Sequence, residues 1–187
     1  APEPPACEDE PPRLTKDGLL VLTPQKLSRY VGGENELKIY LAALGHVFDV
    51  TAGKQFYAPR RSYAHFAGRD ASRSFVTGVT ALDKLTDDLD GLDDEELEGV
   101  ASWFKFYDEH EVYERVGMVE GRYYNHTTGE ADEPFPWQRL ADKKARKETL
   151  KQKFPECNSR WSQKDGSEVW CTKLSGGIKR EWAGVPR

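Results

Sequence analysis

The chain has 187 residues with 32 acidic and 27 basic side chains, a net charge of -5, 37% apolar residues, 16 Gly, 11 Pro and 3 Cys. That suits one domain of ~100 to 150 residues plus an appendage better than two full domains, and it excludes a core running the whole length. No stretch approaches the ~18 consecutive apolar residues of a membrane span, so a soluble molecule is expected, with any signal or anchor segment lying outside this chain.

Residues 1–16 contain five prolines and an acidic cluster, a composition that builds no core and predicts a disordered leader. A folded domain is expected over 17–130, a Pro-rich acidic linker over 131–138 and a basic helix with a Cys/Trp module over 139–187. Leu19 to Leu22 predicts a strand, and Thr23-Pro24 starts a helix through Leu27 and Tyr30 that Gly32-Gly33 breaks. A hairpin is expected around Ala43-Leu44-Gly45-His46, with Lys38–Leu41 against Val47–Val50. Tyr63 to Ala67 predicts a short helix stopped by Gly68, and Asp70 is placed to cap the turn from Ala71 to Phe75.

Nine carboxylates crowd residues 83–98. Asp88-Leu89-Asp90-Gly91 suggests the middle of a calcium loop, but with Gly91 at the sixth position Thr86 and Leu97 occupy the first and twelfth, where carboxylates are required. The alternative is a helix N-terminus, with Asp93 and Glu96 at capping-box spacing. The helix continues through Leu97, Val100, Ala101 and Phe104, which share one face. Val116 to Val119 and Arg122 to Tyr124 predict a closing strand or hairpin edge, and a charged helix is expected from about Trp137 to Lys153.

Residues 139–187 carry 13 basic and 6 acidic side chains, net +7, against -12 for residues 1–138. Such a tail suits an anionic surface, heparan chains or lipid headgroups; alternatively, Lys143, Lys144, Lys147 and Lys151 are the solvated face of a helix. Nucleic acid is not expected as a partner, because the acidic body would repel it and no known reader motif is present. Cys157 and Cys171, flanked by Trp161 and Trp170, lie in a region poor in aliphatics. A disulfide closing this loop of about 15 residues would be worth ~3 kcal/mol in the chain-entropy model and suits an oxidising compartment; two reduced thiols are the alternative. Cys7 is left without an evident partner. Asn125-His126-Thr127 is an N-glycosylation sequon, which together with the cysteines points to the secretory route, with an endomembrane lumen as the alternative.

No phosphate-binding glycine loop, Ser-His-Asp constellation or HExxH motif is present, and His46, His65, His110 and His126 have no metal-site spacing. Hydrolase chemistry has little to rest on. What stands out is the tyrosine density, with Tyr57 and Tyr63 around a Pro turn and Tyr107 and Tyr113 after the long helix. Such phenols are either core residues with satisfied hydroxyls or the edge of a pocket for a flat ligand, where a phenol can also ligate ferric iron.

The run Val47-Phe48-Asp49-Val50-Thr51, then Phe56-Tyr57-Ala58-Pro59, Tyr63 and Phe66-Ala67-Gly68-Arg69-Asp70-Ala71-Ser72-Arg73 resembles the membrane-associated progesterone receptor family of cytochrome b5-like haem-binding domains. Tyr113-Glu114-Arg115-Val116-Gly117 fits that family's end of the haem pocket. The tail, from Phe154-Pro155-Glu156-Cys157-Asn158 through Val169-Trp170-Cys171 to Gly184-Val185-Pro186-Arg187, is similar to the C-terminal module of one of its longer branches.

The resemblance implies an α+β fold: a small mixed sheet with helices forming a haem pocket, then a C-terminal helix and a disulfide-stapled module. It implies haem b without two axial histidines, and no His-Pro-Gly-Gly segment is present. Tyr63 is implied as the axial ligand of the haem iron, with Tyr57 and Tyr113 as hydrogen-bonding tyrosines at the pocket edge. One position departs, since the family's lysine before the second edge tyrosine is Val112 here; Arg60, Arg61 or Lys105 is left to meet a propionate. The functional expectation is a non-enzymatic, secreted haem protein acting as an extracellular signal of neurotrophic type, with a cell-surface receptor as a candidate partner and a haem-mediated homodimer as a further one. Electron donation to a monooxygenase and a haem-independent receptor- or proteoglycan-binding module are the alternatives.

Overall fold

The computed structural model describes residues 13–34, 36–153 and 155–185, so most of the expected leader, with Cys7, lies outside the described residues. Order begins earlier than residue 17: Arg13–Leu14 (β1) pairs antiparallel with Leu20–Leu22 (β2), Arg13 opposite Val21, around a turn at Gly18. The leader is thus cut short because β2 would otherwise present an unpaired edge. Thr23 caps the next helix as expected, its hydroxyl accepting from the Lys26 N–H, with Pro24 in the first turn, but the helix (α1, Pro24–Leu27) ends before Tyr30. Tyr30 instead stacks on Tyr40, rings 4.3 Å apart.

Tyr40–Ala43 (β3) and His46–Asp49 (β4) form the hairpin, two residues further along on the first strand than expected. Its turn places Leu44 at φ 49° and Gly45 at φ 77°, the pair of left-handed conformations that a tight turn between twisted strands requires. A Cβ on Gly45 would also press into Tyr123. After Lys54–Tyr57 (α2), Ser74–Thr77 (α3) and Asp94–Asp108 (α4), the strand Glu114–Val119 (β5) enters the middle of the sheet, giving the order β1-β2-β5-β4-β3. β5 runs parallel to β2 and antiparallel to β4, so the sheet is mixed.

The sheet is buried on both faces, which explains the unbroken apolar run Tyr40–Ala43. Its alternation sends Leu41, Ala43, Phe48 and Val50 toward α4, and Tyr40, Ala42, Val47 and Val119 toward Leu27 on the other side. The Asp93–Glu96 capping box forms with both bonds, 2.8 and 2.9 Å, and α4 buries Leu97, Val100 and Tyr107. Asp70 caps the turn that follows it, as expected, its carboxylate accepting from the Ser72 N–H (3.1 Å) and the Ser72 hydroxyl (2.5 Å); it also accepts from the Gly45 N–H (2.7 Å), tying the hairpin turn to the next loop. Two local expectations change. The segment after Tyr63 is a single 3-10 turn, Ala64–Phe66. Arg122 to Tyr124 is a turn with one Gly121–Tyr124 bridge, not a strand.

The described residues divide into two compact units, one ending at Phe135 and the other beginning at Pro136. In the second, Trp137–Lys153 forms the helix α5 and Asn158–Ser162 (β6) pairs with Gly166–Trp170 (β7). The Cys157–Cys171 disulfide closes the open end of this hairpin, with Cα atoms 4.6 Å apart. The chain then folds back, Cys171 and Gly184 exchanging two backbone hydrogen bonds of 2.7 and 2.8 Å, and the Arg180 guanidinium reaches the Pro155 carbonyl. Two strands with a few apolar side chains hold no stable structure alone, so the crosslink carries much of this unit's order. No described helix is long and apolar enough to cross a membrane.

Candidate functional site

Tyr57 ends the one-turn helix α2, stopped by the extended Ala58 and by Pro59. Arg60 then adopts φ 68°, and the Tyr63 N–H returns to the Phe56 carbonyl at 2.9 Å. This closed turn brings the Tyr57 and Tyr63 rings to 6.1 Å. Tyr113 arrives from the other end of the unit. The chain turns after α4 as the His110 ring nitrogen accepts from the Val112 N–H, and Tyr113 stacks on His110 at 3.8 Å just before β5 begins. Its ring stands edge-on to Tyr57 at 6.2 Å, with its hydroxyl against Gly53. The structure therefore brings the three sequence-predicted tyrosines together.

Tyr57 and Tyr63 open onto a cleft of about 250 Å³, while Tyr113 stands beside Tyr57 outside its lining. The cleft walls are Phe66, Phe75 and Trp103, and Tyr107 closes the back. Phe75 links the walls, 4.9 Å from Phe66 and 5.7 Å from Trp103. Sequence reasoning missed Phe75 and Trp103 as site residues, and it left Tyr107 open between core residue and pocket edge. Trp103 and Tyr107 lie one helical turn apart on α4, a spacing that marks a shared face but not what that face meets. Tyr107 is buried, and its hydroxyl lies 3.1 Å from that of Tyr57.

Burial pushes the Tyr57 phenol up to about 12 and raises Tyr107 and Tyr113 as well, so these three remain protonated donors at neutral pH. Tyr63 is 43% exposed at the mouth, and its hydroxyl makes no hydrogen bond among the described residues. His65 faces the same cleft with its ring 4.1 Å from Phe66; burial and then Arg69 lower its pKa, favouring the neutral imidazole.

Of the cations considered for an acidic ligand edge, Arg60 and Arg61 are exposed on the turn between the two tyrosines. Lys105 is elsewhere: it pairs with Glu109 at 3.6 Å and lines a separate shallow depression with Phe106, His110 and Val112. The volume lies just under the roughly 300–1,000 Å³ of enclosed small-molecule sites, which suits a flat ligand leaving one edge in solvent. Aromatic walls, a free phenol oxygen at the mouth and protonated phenols behind it fit a planar macrocycle carrying a cation that prefers anionic oxygen. No group of three or more His, Cys, Asp or Glu residues among the described residues could hold a bare metal ion.

A family model described as the cytochrome b5-like heme/steroid binding domain matches residues 23–92, the span containing Tyr57, Tyr63 and the Asp70 loop. Neuferricin from Mus musculus is 40% identical over 176 residues, covering 92% of this chain and 66% of its own length. Neuferricin from Homo sapiens is 42% identical over 178 residues, covering 91% and 65%. This chain thus spans just under two thirds of the length of those relatives. Membrane-associated progesterone-binding protein 4 of Arabidopsis thaliana is 42% identical over 154 residues, covering 79% and 61%. Among solved structures, a hypothetical protein from Arabidopsis thaliana described as having a cytochrome b5 like fold is 36% identical, with a TM-score of 0.48, covering 55% of this chain and 93% of its own. The chain belongs to the cytochrome b5-like family of haem- and steroid-binding domains, within its neuferricin branch.

Proposed function

We propose that this chain is a secreted, non-enzymatic protein that binds haem b in the aromatic cleft, with Tyr63 as the axial ligand of the iron and Tyr57 and Tyr113 as pocket-edge hydrogen-bonding groups. The observation that carries this reading is the pairing of an exposed, unbonded Tyr63 phenol with protonated phenols and aromatic walls behind it. When bound, haem supplies a ferric centre that stabilises phenolate over phenol and, with an anionic ligand, favours the oxidised state. With haem bound, Tyr63 would give up its proton at Oη, Phe66, Phe75 and Trp103 would exclude water from the macrocycle, and Arg60 and Arg61, exposed on the turn between the two tyrosines, would be candidates for its carboxylates.

Hemin titrated into the purified protein is expected to give a high-spin ferric spectrum with a phenolate charge-transfer band, and Tyr63→Phe is expected to abolish the band. An unchanged spectrum in that variant would remove the ligand assignment, and no saturable binding by the wild type would remove the haem reading.

The Cys157–Cys171 bridge and the Asn125 sequon support a secretory route, and the neuferricin relationship supports an extracellular signal of neurotrophic type. Asn125 is half-buried; its side-chain carbonyl accepts from the Thr127 N–H at 2.9 Å and its amide donates to Asp132 at 3.1 Å, so glycosylation requires that amide to be released. A second reading concerns the basic unit. Lys144, Lys147 and Lys151 are exposed along α5, and we propose that they hold an anionic surface such as a sulfated polysaccharide. Changing all three to Ala should lower the salt needed to elute the protein from heparin, and an unchanged elution would discard this reading.

A further inference from the structure

Tyr57 and Tyr107 form a hydroxyl pair, 3.1 Å apart, in which either oxygen could be the donor. Two hydroxyls carry two protons and share one hydrogen bond, so one proton is left to point elsewhere. Were Tyr57 the donor, that surplus proton would sit on Tyr107, which is 1% exposed and has no other hydrogen-bond partner among the described residues. An orphaned buried donor carries the desolvation penalty of the group in full. With Tyr107 as donor, the surplus proton sits on Tyr57 instead, whose ring borders the cleft beside Tyr63. Burial favours the second arrangement.

On this polarity we propose that Tyr107 is a positioning residue: its hydroxyl donates to Tyr57 from behind and so presets the Tyr57 proton toward an anionic oxygen in the cleft. The inference rests on the haem-binding reading, in which that oxygen is the Tyr63 phenolate. It also extends the site to α4, since the orientation of Tyr57 then depends on the placement of that helix.

Two measurements on the full chain test it. In the ligand-free protein, Tyr57→Phe strands the buried Tyr107 proton, whereas Tyr107→Phe leaves a Tyr57 hydroxyl that water in the cleft can meet. The expected order of unfolding midpoints in urea is therefore wild type, then Tyr107→Phe, then Tyr57→Phe; a Tyr107→Phe midpoint at or above that of the wild type, as expected if its hydroxyl already carried the orphaned proton, or failure of Tyr107→Phe alone to fold, overturns the polarity. In the hemin-bound protein, Tyr107→Phe should retain binding within about threefold but shift the phenolate charge-transfer band to longer wavelength, as Tyr57→Phe does, because the phenolate loses hydrogen-bond donation. The double variant should shift it no further than Tyr57→Phe alone. An unmoved band in Tyr107→Phe, or additive shifts, overturns the positioning role. Failure of the wild type to bind hemin at all would instead count against the haem reading and leave the ligand-free order standing as the test of polarity.

Discussion

Gly53 backs directly onto Tyr113: a Cβ at Gly53 would overlap the Tyr113 hydroxyl and sit 3.0 Å from the Tyr57 ring. Its φ of -92° suits any residue, so space alone demands glycine there. Gly53→Ala is expected to push the two rings apart, lowering stability by ~1–3 kcal/mol, as overpacking does, and weakening hemin binding. Gly33→Ala, in open space without a positive φ, is the matched control and should leave both unchanged. Urea unfolding and Soret titration of the two variants check this.

Two half-buried groups pull acid stability in opposite directions. His46 is held down to about 4, chiefly by burial and then by Arg115, with Asp108 opposing; its neutral form therefore favours the fold above pH 6.5, and that contribution is lost as pH falls toward 4. Asp70 is pushed up to about 6 by burial and the nearby Asp87, against its hydrogen bonds from Ser72 and Gly45; its protonated form favours the fold below 3.8, and that contribution is lost as pH rises through 6. Between pH 6.5 and 4 the slopes offset one another. His46→Gln should therefore unmask stability that rises on acidification, and Asp70→Asn stability that falls, in unfolding midpoints measured across that range.

Loss of the disulfide should be confined to the second unit. Replacing Cys157 and Cys171 with Ser is expected to remove ~2–4 kcal/mol and expose the β6–β7 hairpin to proteolysis, while the hemin spectrum stays as in the wild type. Limited proteolysis followed by mass spectrometry, with absorption spectra on the same samples, separates the two effects.

Because α4 carries both Trp103 and Tyr107 into the cleft, its N-terminal cap matters at a distance. Asp93→Ala should cost ~1 kcal/mol of stability and reduce hemin affinity by less than Tyr63→Phe does, with thermal melts and titrations as the readout.

Much of this was legible in local chemistry. The Asp93–Glu96 cap, the turn at Leu44–Gly45 and the span Trp137–Lys153 follow from signals within a few residues, and each forms. The start of order at Arg13 was missed because a two-residue edge strand has no pattern of its own and exists only against β2. The part Tyr107 plays was left open for a similar reason. Its helical phase marks it as core, and its partner, the Tyr57 hydroxyl, lies 50 positions away.

β5 follows every other strand of the first unit in the chain, yet it lies between β2 and β4, joining two pieces of sheet made some 70 and 95 residues earlier. The approach is close enough that a Cβ on Gly117 would strike the Leu20 carbonyl. During synthesis, the β1–β2 pair and the β3–β4 hairpin therefore wait without a common partner until Val119 has left the ribosome, and Tyr113, just ahead of β5, is the last of the site's tyrosines to join the cluster. Ligand capture is thus deferred until the whole first unit has emerged, so a nascent chain stalled before β5 should have no finished pocket to fill.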